Sequence, residues 1–377
     1  KLVIMKILFL SSSPLHKMHI VDMYIKEIGS VYDILLWDVS PLFSNRGLTD
    51  FPDVPVIHTM EEFESKLDEI RRQDKIAVIT NILITDLHVV YQQLRSRRIP
   101  IISIDKEMMI SWMKDNYGKK HPEKVEKCER DKYRIKAIPV MRQIYSYMEY
   151  RHAKFDYLLG AYNYFPDASR HFYQIHNLKY DEYLHSQKKD PVINGKYILF
   201  MDAGLAHLPS HEGKPNAIDK SDYLRTMNAF FEKTEKQYGL PVIVAAHPKS
   251  GYREQDFMGR PIILYKTPEL LKYAELVLAH YSTSLIELVL QKKKVIFMYS
   301  EDYMNSDSRT VLETATEYAD MLNAPLIDVK KAEKIEAHYD EKAYDRFIDR
   351  YIVCTGKKEC SNAQLIIQFL NGLERKL

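Results

Sequence analysis

Short runs that are apolar at nearly every position, each separated from the next by an amphipathic stretch of helical period, constrain this chain most. In the first half the runs are Ile7–Leu10, Ile34–Trp37, Ile76–Thr80, Ile101–Ile104 and Phe155–Leu159. Between them, helices are expected over about 16–28, over Glu61–Arg72 and over Asp86–Arg95. A strand apolar on both faces has no face for water, so it belongs in a parallel sheet covered by helices on both sides.

The pattern breaks between Trp112 and Lys136, where nine Lys and Arg, from Lys114 to Lys136, are mixed with acids and a few aromatics. Such a run could approach an anionic acceptor or a membrane face, but its interspersed acids favour a charged surface helix. Helix is expected again near Pro139–Tyr150, and a polar helical segment is expected from the end of the Phe155–Leu159 strand to about Asp190. Asp190–Lys196 reads as a linker. The rhythm then restarts, with strands at Tyr197–Met201, Pro241–Ala246, Ile262–Leu264, Leu276–Ala279, Val295–Met298 and Leu326–Val329. Helices are expected at Asp222–Tyr238, Pro268–Ala274, Thr283–Leu290, Arg309–Leu322, Tyr344–Ile352 and Asn362–Leu373. The expected fold is α/β, of the GT-B kind: two Rossmann-like domains whose parallel sheets face a central cleft. Residues 1–190 would form an acceptor-side domain and 191–377 a donor-binding domain, with the last helix free to pack back on the first.

The length of 377 residues suits two domains. A net charge of +2 gives no reason to expect a nucleic-acid partner. Twelve glycines argue against a Gly-rich phosphate loop, and the 27 tyrosines suit sugars or ordinary interfaces equally. Cys128, Cys354 and Cys360 have neither the spacing of a zinc site nor that of a disulfide framework, so a cytoplasmic compartment is expected. No apolar run reaches membrane-spanning length. Lys1–Leu10 reads as a first strand rather than a signal peptide, with Met5 as a natural start.

Three constellations could carry chemistry. The first is Val242–Ala246 followed by His247-Pro248. Proline holds the preceding residue extended, so His247 should project from the strand end into a ligand site. Its plainer reading is a polar start to a loop, and His121-Pro122, with no strand before it, shows how little the dipeptide means alone. The second is the strand Leu276–Ala279 running through His280 into Ser282-Thr283-Ser284 and a helix. Amides and hydroxyls at such a turn suit phosphate, although Ser and Thr also cap helices for their own sake. Glu287, one turn later, is a candidate for a ribose hydroxyl or a solvated helix residue. Together the two motifs make Pro241–Met298 a nucleotide-type half-site on one sheet edge. No Asp-x-Asp follows a strand, so no metal is expected.

The third constellation is Asp202-Ala203-Gly204 with His207, at the end of the first strand of the second half. Transfer to a hydroxyl needs a base. Asp202 is the first candidate and His207 the second, against the equal reading that Asp202 caps a turn through Gly204. In the first half, Ser11-Ser12-Ser13 with His16 and His19 occupy the equivalent loop and read best as a helix cap.

The string from Ala246-His247-Pro248 to Ala279-His280-Tyr281-Ser282-Thr283-Ser284 resembles bacterial capsule and lipopolysaccharide glycosyltransferases of GT-B fold. It is particularly similar to the motifs of sialyltransferase-like families that use CMP-activated nonulosonic acids. The resemblance covers about the second half of the chain. It implies that His247, Ser282, Thr283 and Ser284 bind the CMP portion and that Asp202 is the base; Ala203 stands where the families carry a second acid. It also implies metal-independent, inverting transfer from a CMP-sugar to an oligosaccharide or polysaccharide acceptor, with peripheral association with the inner membrane left open. A similar element occurs in CDP-glycerol polymerases of teichoic-acid synthesis, so a UDP- or GDP-sugar or CDP-glycerol is the alternative donor. A catalytically silent GT-B scaffold is the alternative from another class. Asp202→Asn is expected to abolish turnover and keep donor binding.

Overall fold

The computed structural model describes residues 5–43, 49–80, 88–105, 109, 112–113, 119–120, 154–205, 218–248, 250–282, 284–300 and 309–377. His207, Thr283, the expected helix at Pro139–Tyr150 and nearly all of the basic segment lie outside them. The described residues form two compact units. No helix among them is long and apolar enough to cross a membrane.

The first unit carries strands β1 (Lys6–Ser11), β2 (Ile34–Asp38), β3 (Ile76–Thr80), β4 (Ile101–Ile104), β5 (Phe155–Gly160) and β6 (Ser169–Gln174). They pair in parallel in the order β2-β1-β3-β4-β5-β6. Its helices are α1 (Lys17–Asp22), α2 (Ile25–Gly29), α3 (Met60–Arg71) and α4 (His88–Ser96). Successive strand residues point to opposite faces, and β1 shows why its run is apolar throughout. Ile7 and Phe9 enter one core, while Leu8 and Leu10 enter another on the opposite face.

Two local expectations change. The helix expected over about 16–28 is two short helices, broken at Tyr24, which sits in the left-handed region at φ 54°. The polar stretch after β5 contains a strand as well as a helix. In β6, Ser-Arg-His-Phe-Tyr-Gln, Arg170 and His171 are exposed because β6 is the sheet's last strand and has a solvent side.

The second unit carries β7 (Tyr197–Met201), β8 (Val242–Ala245), β9 (Ile262–Ile263), β10 (Ala274–Ala279), β11 (Val295–Tyr299) and β12 (Leu326–Asp328). Its helices are α5 (Lys179–Ser186), α6 (Lys220–Tyr238), α7 (Thr267–Tyr273), α8 (Leu285–Leu290), α9 (Arg309–Leu322) and α10 (Glu341–Tyr351). All strand pairs are parallel, in the order β9-β8-β7-β10-β11-β12. In chain order that is 3-2-1-4-5-6, the Rossmann order, which reverses between β7 and β10. Helix α6 is capped by the Asp219 side chain on the Asp222 amide and stopped by Gly239 at φ 65°.

Besides the segment Met109–Lys127, which is assigned to the second unit, the chain passes from the first unit to the second between Leu178 and Lys179 and returns at Val353. The returning segment is held by His176, which is fully buried. Its Nδ1 accepts the Cys354 N–H at 2.9 Å, and its Nε2–H faces the Lys357 and Cys360 carbonyls at 3.1 and 3.0 Å. The last helix, α11 (Asn362–Glu374), then lays Leu365, Ile366, Phe369, Leu370 and Leu373 on the core that holds Ile7 and Phe9.

Candidate functional site

The register of the second sheet sets the site. Met201 of β7 pairs with Ala245 of β8 and with Ala279 of β10, so three strands end level with one another. Asp202, Ala246-His247 and His280 therefore leave the sheet side by side, at the carboxyl edge where the strand order reverses. That edge is where open α/β sheets take their ligands. Adjacent strands lie about 4.8 Å apart, so the β8 and β10 ends stand roughly 10 Å from one another across β7.

Asp202 occupies the middle of this row and is 5% exposed. Its amide continues the ladder to the Ala245 carbonyl at 3.0 Å. One carboxylate oxygen accepts the Gly204 N–H at 2.9 Å, and the other accepts the His247 N–H at 3.0 Å. The first bond makes an Asx turn, with Gly204 at φ 69° supplying backbone freedom. The second ties the loop after β7 to the loop after β8. The carboxylate thus holds the two loops in register.

His247 is half-buried and Pro248 exposed. The His247 carbonyl accepts both the Ser250 amide at 2.8 Å and the Ser250 hydroxyl at 2.7 Å. These bonds close a tight turn, and with Asp202 on the amide side the backbone of His247 is held from both directions.

At the β10 end, Ser282 and Ser284 are both half-buried. The Ser282 Oγ accepts the Ser284 N–H at 3.2 Å and its carbonyl accepts the Leu285 N–H at 3.1 Å. Ser284 is the N-cap residue of α8, but its side chain makes no cap hydrogen bond. The helix begins at Leu285, later than expected, and all six of its residues are buried.

His280 has a role that sequence reasoning missed. It is fully buried, with Nδ1 2.9 Å from the Met298 carbonyl and Nε2 3.3 Å from the Tyr223 hydroxyl. A carbonyl only accepts, so Nδ1 carries the proton and Nε2 accepts from Tyr223. Burial pushes its pKa down to about 4, so the ring is neutral at pH 7. It braces the β10 end against β11 and α6. A lone His after a strand carries no sequence signal for this, because its partners lie 18 and 57 residues away.

Glu287 does not face the row of strand ends through any hydrogen bond. It is 0% exposed, and by hydrogen-bond geometry neither carboxyl oxygen has a partner among the described residues. Its nearest cation is Lys179 of α5 at 4.0 Å, whose ammonium is held by Glu182 at 2.8 and 2.7 Å. Burial raises the Glu287 pKa to about 8, with Glu182 adding to the rise and Lys179 opposing it. The solvated alternative for Glu287 is therefore corrected: the carboxyl is enclosed between α8 and α5. Among the described residues, no group of three His, Cys, Asp or Glu is placed to hold a metal ion.

No known sequence-family profile matches the chain, and no curated protein matches it by sequence. Solved structures do match. The wall teichoic acid polymerase TagF, as its H444N variant, aligns at 12% identity over 98% of this chain and 89% of its own, with a TM-score of 0.50. A UDP-GlcNAc 2-epimerase from Methanocaldococcus jannaschii aligns at 11% identity over 98% and 99%, with a TM-score of 0.49. Phytolacca americana UGT2, complexed with UDP-2fluoro-glucose and pterostilbene, aligns at 12% over all of both chains, with a TM-score of 0.48. The TagF likeness, with the two parallel six-stranded sheets, shows the fold: α/β, GT-B, built from two Rossmann-like units.

Proposed function

We propose that the protein is a GT-B transferase whose second unit binds the nucleotide of an activated donor, a UDP- or GDP-sugar or CDP-glycerol, and passes the activated group to a glycan acceptor. The observation that carries this reading is the level row of strand ends at β8, β7 and β10, with His247, Asp202 and the Ser282–Ser284 turn on it. The phosphate of the leaving nucleotide would meet the His247 imidazole, on a backbone held from both sides, and the Ser282 and Ser284 hydroxyls. Preset donors lower the barrier without reorganising during the step.

A diphosphate donor ranks ahead of a CMP-activated nonulosonic acid for a physical reason. In the CMP-using families the feature mapped onto Asp202 is a base, and here both Asp202 oxygens hold backbone N–H groups. Asp202 then acts as a positioning residue for His247. Of the two candidate bases, His207 lies outside the described residues.

A thermal-denaturation panel with CMP, CDP, UDP and GDP tests this. One diphosphate at about a hundred times its Kd should raise Tm by on the order of 5–10 °C. His247→Ala should remove most of that rise while melting normally without ligand. A larger rise with CMP than with any diphosphate would restore the CMP-sugar donor. No rise with any nucleotide would favour a non-catalytic scaffold.

A further inference from the structure

The first unit carries a second candidate site, at the opposite edge of its sheet from the one Rossmann-type folds use. A cavity of about 400 Å³ opens at the amino ends of β4, β5 and β6. Its chemistry comes from Arg95, Arg98, Arg170 and His171, with Asp156 as the one carboxylate among the described lining residues and Tyr157 in its wall.

The local structure explains why these residues converge. Arg95 lies in the last turn of α4. The chain then reverses through Arg98, which sits in the left-handed region at φ 56°, with its N–H on the Arg95 carbonyl at 2.9 Å. A non-glycine residue in that conformation is strained, and here the turn feeds Pro100 into β4. Arg170 and His171 are consecutive exposed residues of the edge strand β6. Asp156 accepts the Ile101 N–H at 3.0 Å and lies 3.6 Å from Arg170 Nε.

The charges do not balance inside the cavity. Among the described residues that line it, three guanidinium groups face one carboxylate, an excess of two positive charges. Arg95 gives one N–H to the Lys154 carbonyl, and its Nε–H is buried with no acceptor among the described residues. An unmet buried donor on a charged group is costly. Forked guanidinium donors match phosphate oxygens better than any other side chain does. Next to the cavity, the Tyr157 and His171 rings stack at 5.2 Å and separate it from an aromatic recess of about 250 Å³ lined by Tyr173, Phe369 and Lys376.

We propose that this cavity binds a phosphate ester, with Arg95, Arg98 and Arg170 taking the phosphate oxygens and the recess beyond Tyr157 taking the attached group. The site lies wholly within the first unit and does not rest on the nucleotide reading of the second.

Calorimetric titration of the full chain with inorganic phosphate, and then with glucose 1-phosphate, tests it. Wild type should bind both, more weakly as salt rises. Arg98→Gln and Arg170→Gln should each weaken binding on the order of tenfold. Both side chains are exposed, so the variants should melt as wild type does; Arg98→Gln is the cleaner probe because Arg170 also faces Asp156. Nucleotide-induced stabilisation should be unchanged in both. Absence of phosphate binding at high millimolar concentration, or wild-type affinity in both variants, would overturn the proposal. Co-sedimentation with phosphatidylglycerol vesicles separates the sources of the ester. Vesicle binding lost in Arg98→Gln assigns a lipid headgroup, and vesicle behaviour unaffected by it assigns a soluble ester.

Discussion

Replacing Asp202 with Asn puts one acceptor and one donor where two backbone N–H groups converge, those of Gly204 and His247. One bond is lost and an N–H is set against another N–H. The expected cost is about 1–3 kcal/mol of stability, and the His247 loop loses its anchor. Donor binding should therefore weaken together with turnover, where a pure base would lose turnover alone. Nucleotide affinity measured in Asp202→Asn decides between the roles, since unchanged affinity returns Asp202 to catalysis. Glu287 gives a pH signature. Its folded pKa is raised to about 8 from 4.5, so the folded state keeps a proton that the unfolded chain has released. The associated stability is complete below about pH 4.5 and is lost as pH rises through 8. His280 runs the other way: its pKa is lowered to about 4 from 6.5, so its stability is present above 6.5 and lost as pH falls. Of these two groups, only Glu287 acts between pH 6.5 and 8. Wild type should lose about 1.5 kcal/mol across that window, and Glu287→Gln should not. Equal slopes in urea denaturation of the two proteins would remove the assignment.

At the scale of elements, periodicity was readable wherever an element buries one stripe or both faces. Helix α11 is such a case: Leu365, Ile366, Phe369, Leu370 and Leu373 share a face, and Ser361 with Gln364 forms a capping box. What that face covers was not readable, because its partners Ile7 and Phe9 lie more than 350 residues earlier. Leu370 is 0% exposed in that core. Leu370→Ala should destabilise the first unit by about 2–5 kcal/mol, seen as a lower denaturant midpoint with unchanged slope. A loss below about 1 kcal/mol would mean that the helix is peripheral to the core. Strand β6 was missed because an edge strand of Ser, Arg, His and Gln with two aromatics lacks the apolar run that marks covered strands. The break at Tyr24 was missed because nothing in its neighbours, neither Gly nor Pro, announces a left-handed residue.

For the molecule as a whole, the sequence by itself determined the class and most of the strands. Apolar runs of strand length between helical stripes admit little other than two covered parallel sheets, and His247-Pro248 and Ser282–Ser284 mark two strand ends. These are local signals, set by side-chain periodicity and backbone sterics within a few residues. The tertiary structure alone decided the 3-2-1-4-5-6 strand order, the level register of Met201, Ala245 and Ala279, and the partners of the buried polar groups. It gave the Asp202 carboxylate the amides of two loops, enclosed Glu287 against α5, and gathered three arginines from α4, the following turn and β6 around one cavity. Each of these joins residues tens of positions apart, such as Asp202 and His247, 45 residues from one another. Which distant groups meet is fixed by how the strands pair and the helices pack, and no short window of sequence contains that.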